Sequence, residues 1–216
     1  MRIAMLLGAA VIAGSGAARA ESKQSTWDFE TDALGAPPAG FAFGRTGEGR
    51  LGRWVVRADT GAPAGDHVLA QLDEDGTDFR FPVAVAQAPV LKDARVEVQC
   101  KPVSGKVDQA CGVVLRYADE GNYYLARANA LEDNVNLYRV VKGRRSEIQG
   151  WQGRVTGGAW HALALEARGD RLRVIWEGKP IIEARDDTFQ GAGKVGVWTK
   201  ADSVTYFDAL SVTPLQ

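Results

Sequence analysis

The sequence predicts an all-β protein, a sandwich or a closed barrel, on three observations. Apolar residues alternate at period two in short runs, as in Leu163-Leu165-Ala167 and Leu172-Val174-Trp176. Turn pairs punctuate these runs at steady intervals: Asp75-Gly76, Lys142-Gly143, Gly157-Gly158, Gly169-Asp170 and Glu177-Gly178. No long segment beyond the N-terminal leader keeps a helical period.

In chain order, strands are expected at 27–30, 54–58, 67–71, 80–85, 94–101, 110–117, 122–128, 135–142, 147–151, 160–168, 171–176, 179–184, 193–200 and 205–213. Gly and Pro thicken at 35–52 and 61–65, and the first stretch could be a linker. Trp27 and Phe29 precede the first of these and fit an edge strand of the same core, so residues 21–216 are read as one domain.

Residues 1–20 read as a signal peptide: Met1-Arg2 is a basic start, 3–16 is an apolar run, and Ala18-Arg19-Ala20 is a small-x-small cleavage site. The run is short for a membrane span and nothing later approaches that length. A periplasmic or secreted protein is therefore expected. The chain carries 26 Lys and Arg, two of them in the leader, against 27 Asp and Glu. That balance cannot grip a phosphate backbone, which argues against a nucleic-acid partner.

Two cysteines are present, Cys100 and Cys111. A symmetric hairpin turning at Gly105-Lys106 sets them opposite one another, on the side carrying Val96, Val98, Val113 and Leu115. In an exported protein a disulfide is the expected outcome, with two buried thiols as the alternative.

The stretch 112–141 carries the functional reading. Pairing Tyr117 with Asn122, and Asn129 with Asn134, gives three strands with one apolar face, Val113, Leu115, Tyr124 and Ala126. The other face collects Arg116, Tyr123, Arg127, Asn129, Asn136 and Tyr138, and Trp198 and Lys200 are expected to join it from a C-terminal strand. Guanidinium, amide and phenol groups on one sheet face suit a saccharide, whose C–H face stacks on rings while its hydroxyls take planar hydrogen-bonding groups. Trp198 could instead be core. Arg116, Arg127 and Lys200 would favour a carboxylated or sulfated sugar, or steady an oxyanion on a keto-sugar. As cleft residues, the arginines are expected to face solvent.

Phe29-Glu30 near the start, RYADEGNYYLARAN in the middle and GKVGVWTKADSVTYFDALSV at the end together resemble concanavalin A-like jelly rolls. The closer likeness is to exported bacterial laminin-G-like domains, grouped with 3-keto-disaccharide hydrolase and family 16 glucanase-like domains. The resemblance implies a two-sheet antiparallel jelly-roll sandwich with a concave face where relatives bind or cut saccharides. It also implies a structural calcium shared by an acid near the first strand and one on the last, positions that Glu30 and Asp208 match, with Asp28 nearby.

Catalysis is less well supported by the residues. Retaining glycosidases need two carboxyls about 5–5.5 Å apart, and the glucanase E-x-D-x-x-E pattern is missing. Glu97 is the one acid that alternation could bring to the polar face, beside Val114; an ion pair with an arginine is the plainer reading. His67 and His161 lack metal-ligand spacing. Asp73-x-Asp75-Gly76-x-Asp78 starts like a calcium loop, but the closing position is Ala84. A lectin-like carbohydrate-binding protein is expected first, then a glycosidase or lyase acting on modified sugars, then an envelope interaction module.

Overall fold

The computed structural model describes residues 23–215, so the leader lies outside the described residues. Fifteen strands follow one another: β1 (Ser25–Trp27), β2 (Phe41–Gly47), β3 (Trp54–Ala58), β4 (His67–Gln71), β5 (Arg80–Ala86), β6 (Ala94–Ser104), β7 (Ala110–Asp119), β8 (Asn122–Asn129), β9 (Asn134–Val141), β10 (Arg144–Gln152), β11 (His161–Arg168), β12 (Arg171–Trp176), β13 (Lys179–Arg185), β14 (Lys194–Trp198) and β15 (Val204–Pro214). They form two antiparallel sheets. One runs β13-β12-β11-β6-β15-β4-β3, with β1 added beside β15; the other runs β10-β9-β8-β7-β14-β5-β2.

Alternation turns directly into layers. Along β6 every second residue is buried, and Val96, Val98 and Cys100 point into the interior. Leu163 and Leu165 of β11 and Phe207, Leu210 and Val212 of β15 join them. From the other sheet come Val113 and Leu115, Tyr124 and Ala126, Val135 and Leu137, and Val195 and Val197. The apolar face read from the sequence is thus the inner face of the seven-stranded sheet. Burying a large aliphatic side chain there stabilises by about 1.5–3 kcal/mol.

Cys100 and Cys111 are disulfide-bonded, but not across a hairpin. β6 pairs with β11 and β15, whereas β7 pairs with β8 and β14. The expected 94–117 hairpin is instead a corner between the sheets, and the bridge ties the two layers through the core. The parity argument survives because both cysteines face the same interior. The corner is fixed by Asp202, whose carboxylate accepts the N–H groups of Lys106, Val107 and Asp108. A carboxylate in such a nest of N–H donors stays ionised, and burial, which pushes Asp202 up, is outweighed by these bonds, leaving it below the usual range.

Two further departures bear on the site. β2 lies in the glycine-rich stretch that could have been a linker, where no strand is expected, yet pairs with β5 from Phe41↔Ala86 to Gly47↔Arg80. The β7–β8 hairpin turns more tightly than expected: Asp119 pairs with Asn122, Leu115 with Tyr124, and the residues between bulge out of register. Arg116 opens that bulge with φ 51°. A bulge re-aims side chains, and this one turns Arg116 away from the polar face.

Candidate functional site

The outer face of the seven-stranded sheet is built row by row from its register. Arg127 stands between Gly112 and Asn136, Leu125 between Val114 and Tyr138, and Asn129 opposite Asn134. Tyr123 lies opposite Val140, and Val140 opposite Arg145. Trp198 of β14 lies opposite Gly112. A Cβ at Gly112 would come within 3.3 Å of the Trp198 ring and 2.9 Å of the Ala126 carbonyl oxygen, so the glycine lets the indole lie close to the sheet. Trp198 stacks on Phe81 at 5.3 Å and, with Val83, Val114, Leu125 and Tyr123, forms a second apolar cluster on this face.

The polar half adjoins it. Arg127 is 1% exposed; its Nη2 donates to Asn134 Oδ1 (2.6 Å) and Glu132 Oε2 (3.0 Å). Asn129 Nδ2 donates to Asp108 Oδ1 at 2.6 Å. Lys200 Nζ bridges Asp108 Oδ2 (2.8 Å) and Asp78 Oδ1 (2.7 Å). Burial pushes the Asp108 carboxyl up although Lys200 pulls it down. Asn136 Nδ2 donates to Glu147 Oε2 (2.9 Å) and Tyr138 Oη (3.0 Å). Beside it, a Cβ at Gly150 would sit 3.0 Å from Asn136 Oδ1 and 3.1 Å from Glu147 Oε1, so the glycine leaves a notch there.

Arg145 covers the seam between the halves. It comes from the edge strand β10, and its guanidinium lies 4.6 Å from the Tyr138 ring centre, 4.7 Å from Phe81 and 5.7 Å from Trp198. Among the described residues, the buried polar atoms on this face with no hydrogen-bond partner on the protein include Arg127 Nε, Asn136 Oδ1, Arg145 Nη1 and the indole Nε1 of Trp198. Buried groups of this kind are normally bonded, and this face is therefore the candidate site.

Of the eight residues read from the sequence as ligand-binding, the structure brings Tyr123, Arg127, Asn129, Asn136, Tyr138, Trp198 and Lys200 to this face and excludes Arg116. Arg116 is buried and donates to the carbonyls of Lys92, Phe189 and Gly169 and to Asp93 Oδ1. It locks three loops at one end of the sandwich. Arg127 does not face solvent, because it lies flat against Tyr138 at 5.6 Å and is held by Asn134. Trp198 and Tyr123 are sealed, Trp198 against Phe81 and Tyr123 against Tyr117 and Thr46. They support the face rather than offer a bare ring. Sequence reasoning missed Arg145, Asp108, Glu132, Asn134 and Glu147. The two-residue turn at Lys142-Gly143 could have found Arg145, since extending it sets Arg145 opposite Val140 and on the same side as Tyr138.

Glu97, Asp73, Asp75 and both histidines are engaged elsewhere, His67 Nδ1 against the Phe29 carbonyl oxygen at 3.3 Å. Glu97 pairs with Arg95 at 2.7 Å on the outer face of the other sheet, away from Val114. Asp73 and Asp75 hold Arg50 and the fully buried Arg80. His161 stacks on Trp176 and contacts Glu177 and Thr156 O. A cavity of about 860 Å³ at the end of the eight-stranded sheet is lined by charged side chains that include Glu166, Arg173 and Glu183, which already pair with one another.

Glu30 and Asp208 reach the same loop. Glu30 Oε1 accepts the N–H of Asp66 (3.0 Å) and His67 (2.8 Å), and Asp208 Oδ2 that of Ala64 (2.7 Å). Burial pushes the Asp208 carboxyl up, and the charges of Glu30 and Asp28 add to the rise. Among the described residues no group of three or more His, Cys, Asp or Glu side chains is arranged to hold a metal ion. These side chains alone do not make a calcium site; backbone oxygens would have to complete it.

No protein-family model matches the chain, and no curated protein matches it. Solved structures share its fold. The carbohydrate binding module CBM66 from Bacillus subtilis is 22% identical, with a TM-score of 0.63 over 79% of this chain and 94% of that one. The β-glucanase of Bacillus licheniformis is 10% identical, with a TM-score of 0.56 over 89% and 98% of the two chains. The exoplasmic/lumenal domain of VIP36, in a form bound to Ca2+ and Man3GlcNAc, is 13% identical, with a TM-score of 0.56 over 82% and 84%. Likeness at these identities is one of fold, and the chain has the jelly-roll sandwich of galectin-like and glucanase structures.

Proposed function

We propose that the outer face of the seven-stranded sheet binds a saccharide, and that the protein is an exported, lectin-like carbohydrate-binding protein of the laminin-G-like kind. The observation that carries this is the set of unused hydrogen-bonding atoms, Arg127 Nε, Asn136 Oδ1 and Arg145 Nη1, beside the Tyr138 ring. A sugar hydroxyl both donates and accepts, so one pyranose edge could satisfy Asn136 and an arginine together. The structural neighbours lend general support, being a carbohydrate binding module and the VIP36 exoplasmic/lumenal domain in its Man3GlcNAc-bound form. The disulfide agrees with a secreted or periplasmic location. A broad glycan array tests the reading. Wild type should give sugar-specific signal that Asn136→Ala reduces by about tenfold, the cost of leaving buried partners unmatched; an array with no hit removes it.

A second reading, cleavage of modified (3-keto) sugars, draws on Asp108. Its carboxyl is pushed up by burial on the same face, as a general acid needs, although Lys200 already holds it. Keto-sugar and reducing-sugar release assays decide this, with Asp108→Asn as the control. A structural calcium at Glu30 and Asp208 is kept as a separate proposal.

A further inference from the structure

Three cations reach the candidate face, and two are already neutralised. Arg127 pairs with Glu132, and Lys200 is shared between Asp78 and Asp108. Arg145 has no carboxylate at ion-pair distance among the described residues. Asp108 is near enough to influence it, but that carboxylate is taken by Lys200 and Asn129. Burial pulls the Arg145 guanidinium down, and nothing on the protein offsets that with a bonded negative charge. Its planar group rests instead on Tyr138 and Phe81, with Nη1 buried and unbonded. A guanidinium on rings keeps its in-plane N–H fork free, and that fork matches the two oxygens of a carboxylate.

Resting on the saccharide reading above, we infer that Arg145 is the specificity-determining residue of this face and selects a carboxylated sugar, a uronate unit, by pairing its fork with the sugar carboxylate. The neighbouring groups suit the rest of such a unit. Asn136 Oδ1 and Arg127 Nε are free to take ring hydroxyls, and the Gly150 notch keeps the approach to Asn136 open. Because β10 is the outermost strand of its sheet, Arg145 can shift toward a ligand without breaking a ladder on its far side. A neutral sugar would leave the guanidinium as it is now, unpaired, and would gain less from binding.

The experiment is calorimetric titration with oligogalacturonate, oligoglucuronate and oligomannuronate, each compared with its methyl ester and with a sulfated neutral oligomer. Wild type should bind at least one acid at least about tenfold more tightly than its ester, since a good charge-assisted pair exceeds a neutral contact by that factor. Arg145→Gln should bring the acid-to-ester ratio to within about twofold of unity, and Arg145→Lys, which keeps charge but loses the fork, should fall between. The wild-type comparison stands whether or not the variants fold. Equal binding of acid and ester, a preference for the sulfated oligomer, or an unchanged ratio in Arg145→Gln overturns the inference while leaving saccharide binding intact. No binding to any of these sugars, together with a blank neutral-glycan array, overturns both.

Discussion

Replacing Arg127 with alanine measures whether the polar face is a packed layer or an open surface. The sequence placed this guanidinium in a solvated cleft, where its loss would scarcely change stability. The structure makes it 1% exposed and bonded to Asn134 at 2.6 Å. Losing a charge-assisted hydrogen bond costs about 1.5–3 kcal/mol. The Glu132 partner is 45% exposed, so its share is small, under about 1 kcal/mol. The buried stem over Tyr138 adds roughly 0.8 kcal/mol per methylene. Relief of the desolvated charge offsets part of this, leaving a loss of about 3–4 kcal/mol. For a chain of this size that is a fall of roughly 6–15 °C in Tm. Urea unfolding and thermal melts at pH 7 read it directly. The acid limb supplies a second check. Burial pushes Glu132 up, but the Arg127 charge and bonds from Asn134 and Arg127 bring it below its ordinary value of 4.5. A lowered carboxyl contributes stability above its unfolded pKa and loses it as pH falls through the folded one, so the gap between wild type and variant should narrow below about pH 4.5. A variant within about 1 kcal/mol of wild type at pH 7 would refute the packed-layer account.

The other predictions concern the frame around the face. Mass spectrometry should find Cys100 and Cys111 linked, and the double alanine variant should lose about 3 kcal/mol, the closure entropy of a loop of this length; two thiols alkylated without reduction would end the matter. Arg116→Met strands three backbone carbonyls and should cost at least about 3 kcal/mol while glycan affinity per folded molecule is unchanged. A stable variant with lost binding would return Arg116 to the site. The raised Asp208 pKa means its contribution is most favourable below its unfolded value and declines as pH climbs through the folded one. If calcium sits there with Glu30, added calcium should raise the neutral-pH melt, chelator should reverse it, and Asp208→Asn should abolish the response. An identical melt with and without the ion removes the proposal.

What the sequence disclosed, and what it withheld, divides by the range of the forces involved. The Asn129↔Asn134 register and the shared side of Tyr123, Arg127, Asn136 and Tyr138 are local, because a short turn and a period of two determine them. β2 was hidden because glycines at 35, 40, 44, 47, 49 and 52 lower strand propensity, whereas the β5 ladder that holds it is distant in sequence. The disulfide was legible for a partly wrong reason: parity puts both cysteines inside, but parity cannot separate a hairpin from a corner between sheets. Arg116 does not stand on the face expected for it because its guanidinium is held by the carbonyls of 92, 169 and 189, which no local pattern could reveal. Arg145 was overlooked because strand β10 was started at Glu147, leaving the residue in the turn.

The sealed state of Trp198 changes how recognition on this face would work. With the indole fully buried beneath Phe81 and Arg145, a sugar bound here would not meet an open aromatic platform. It would meet a guanidinium lying over rings. Moving that group off them forfeits cation–π energy of about 0.5–2 kcal/mol. A hydroxyl accepting from the guanidinium returns about 1.5–3 kcal/mol, as a bond to a charged group does, and a carboxylate adds a second parallel bond and an opposite charge. If the face takes a uronate, the second bond and the opposite charge would favour the acid over a neutral sugar, while the cation–π contacts that either ligand must displace would lower the affinity for both. Arg145→Ala separates these terms, because it uncovers Phe81 and Tyr138 while removing the charge. Affinity for methyl-esterified oligomers should then rise relative to the acids. If the variant instead weakens both forms equally, the guanidinium is a plain contact and has no part in the selectivity.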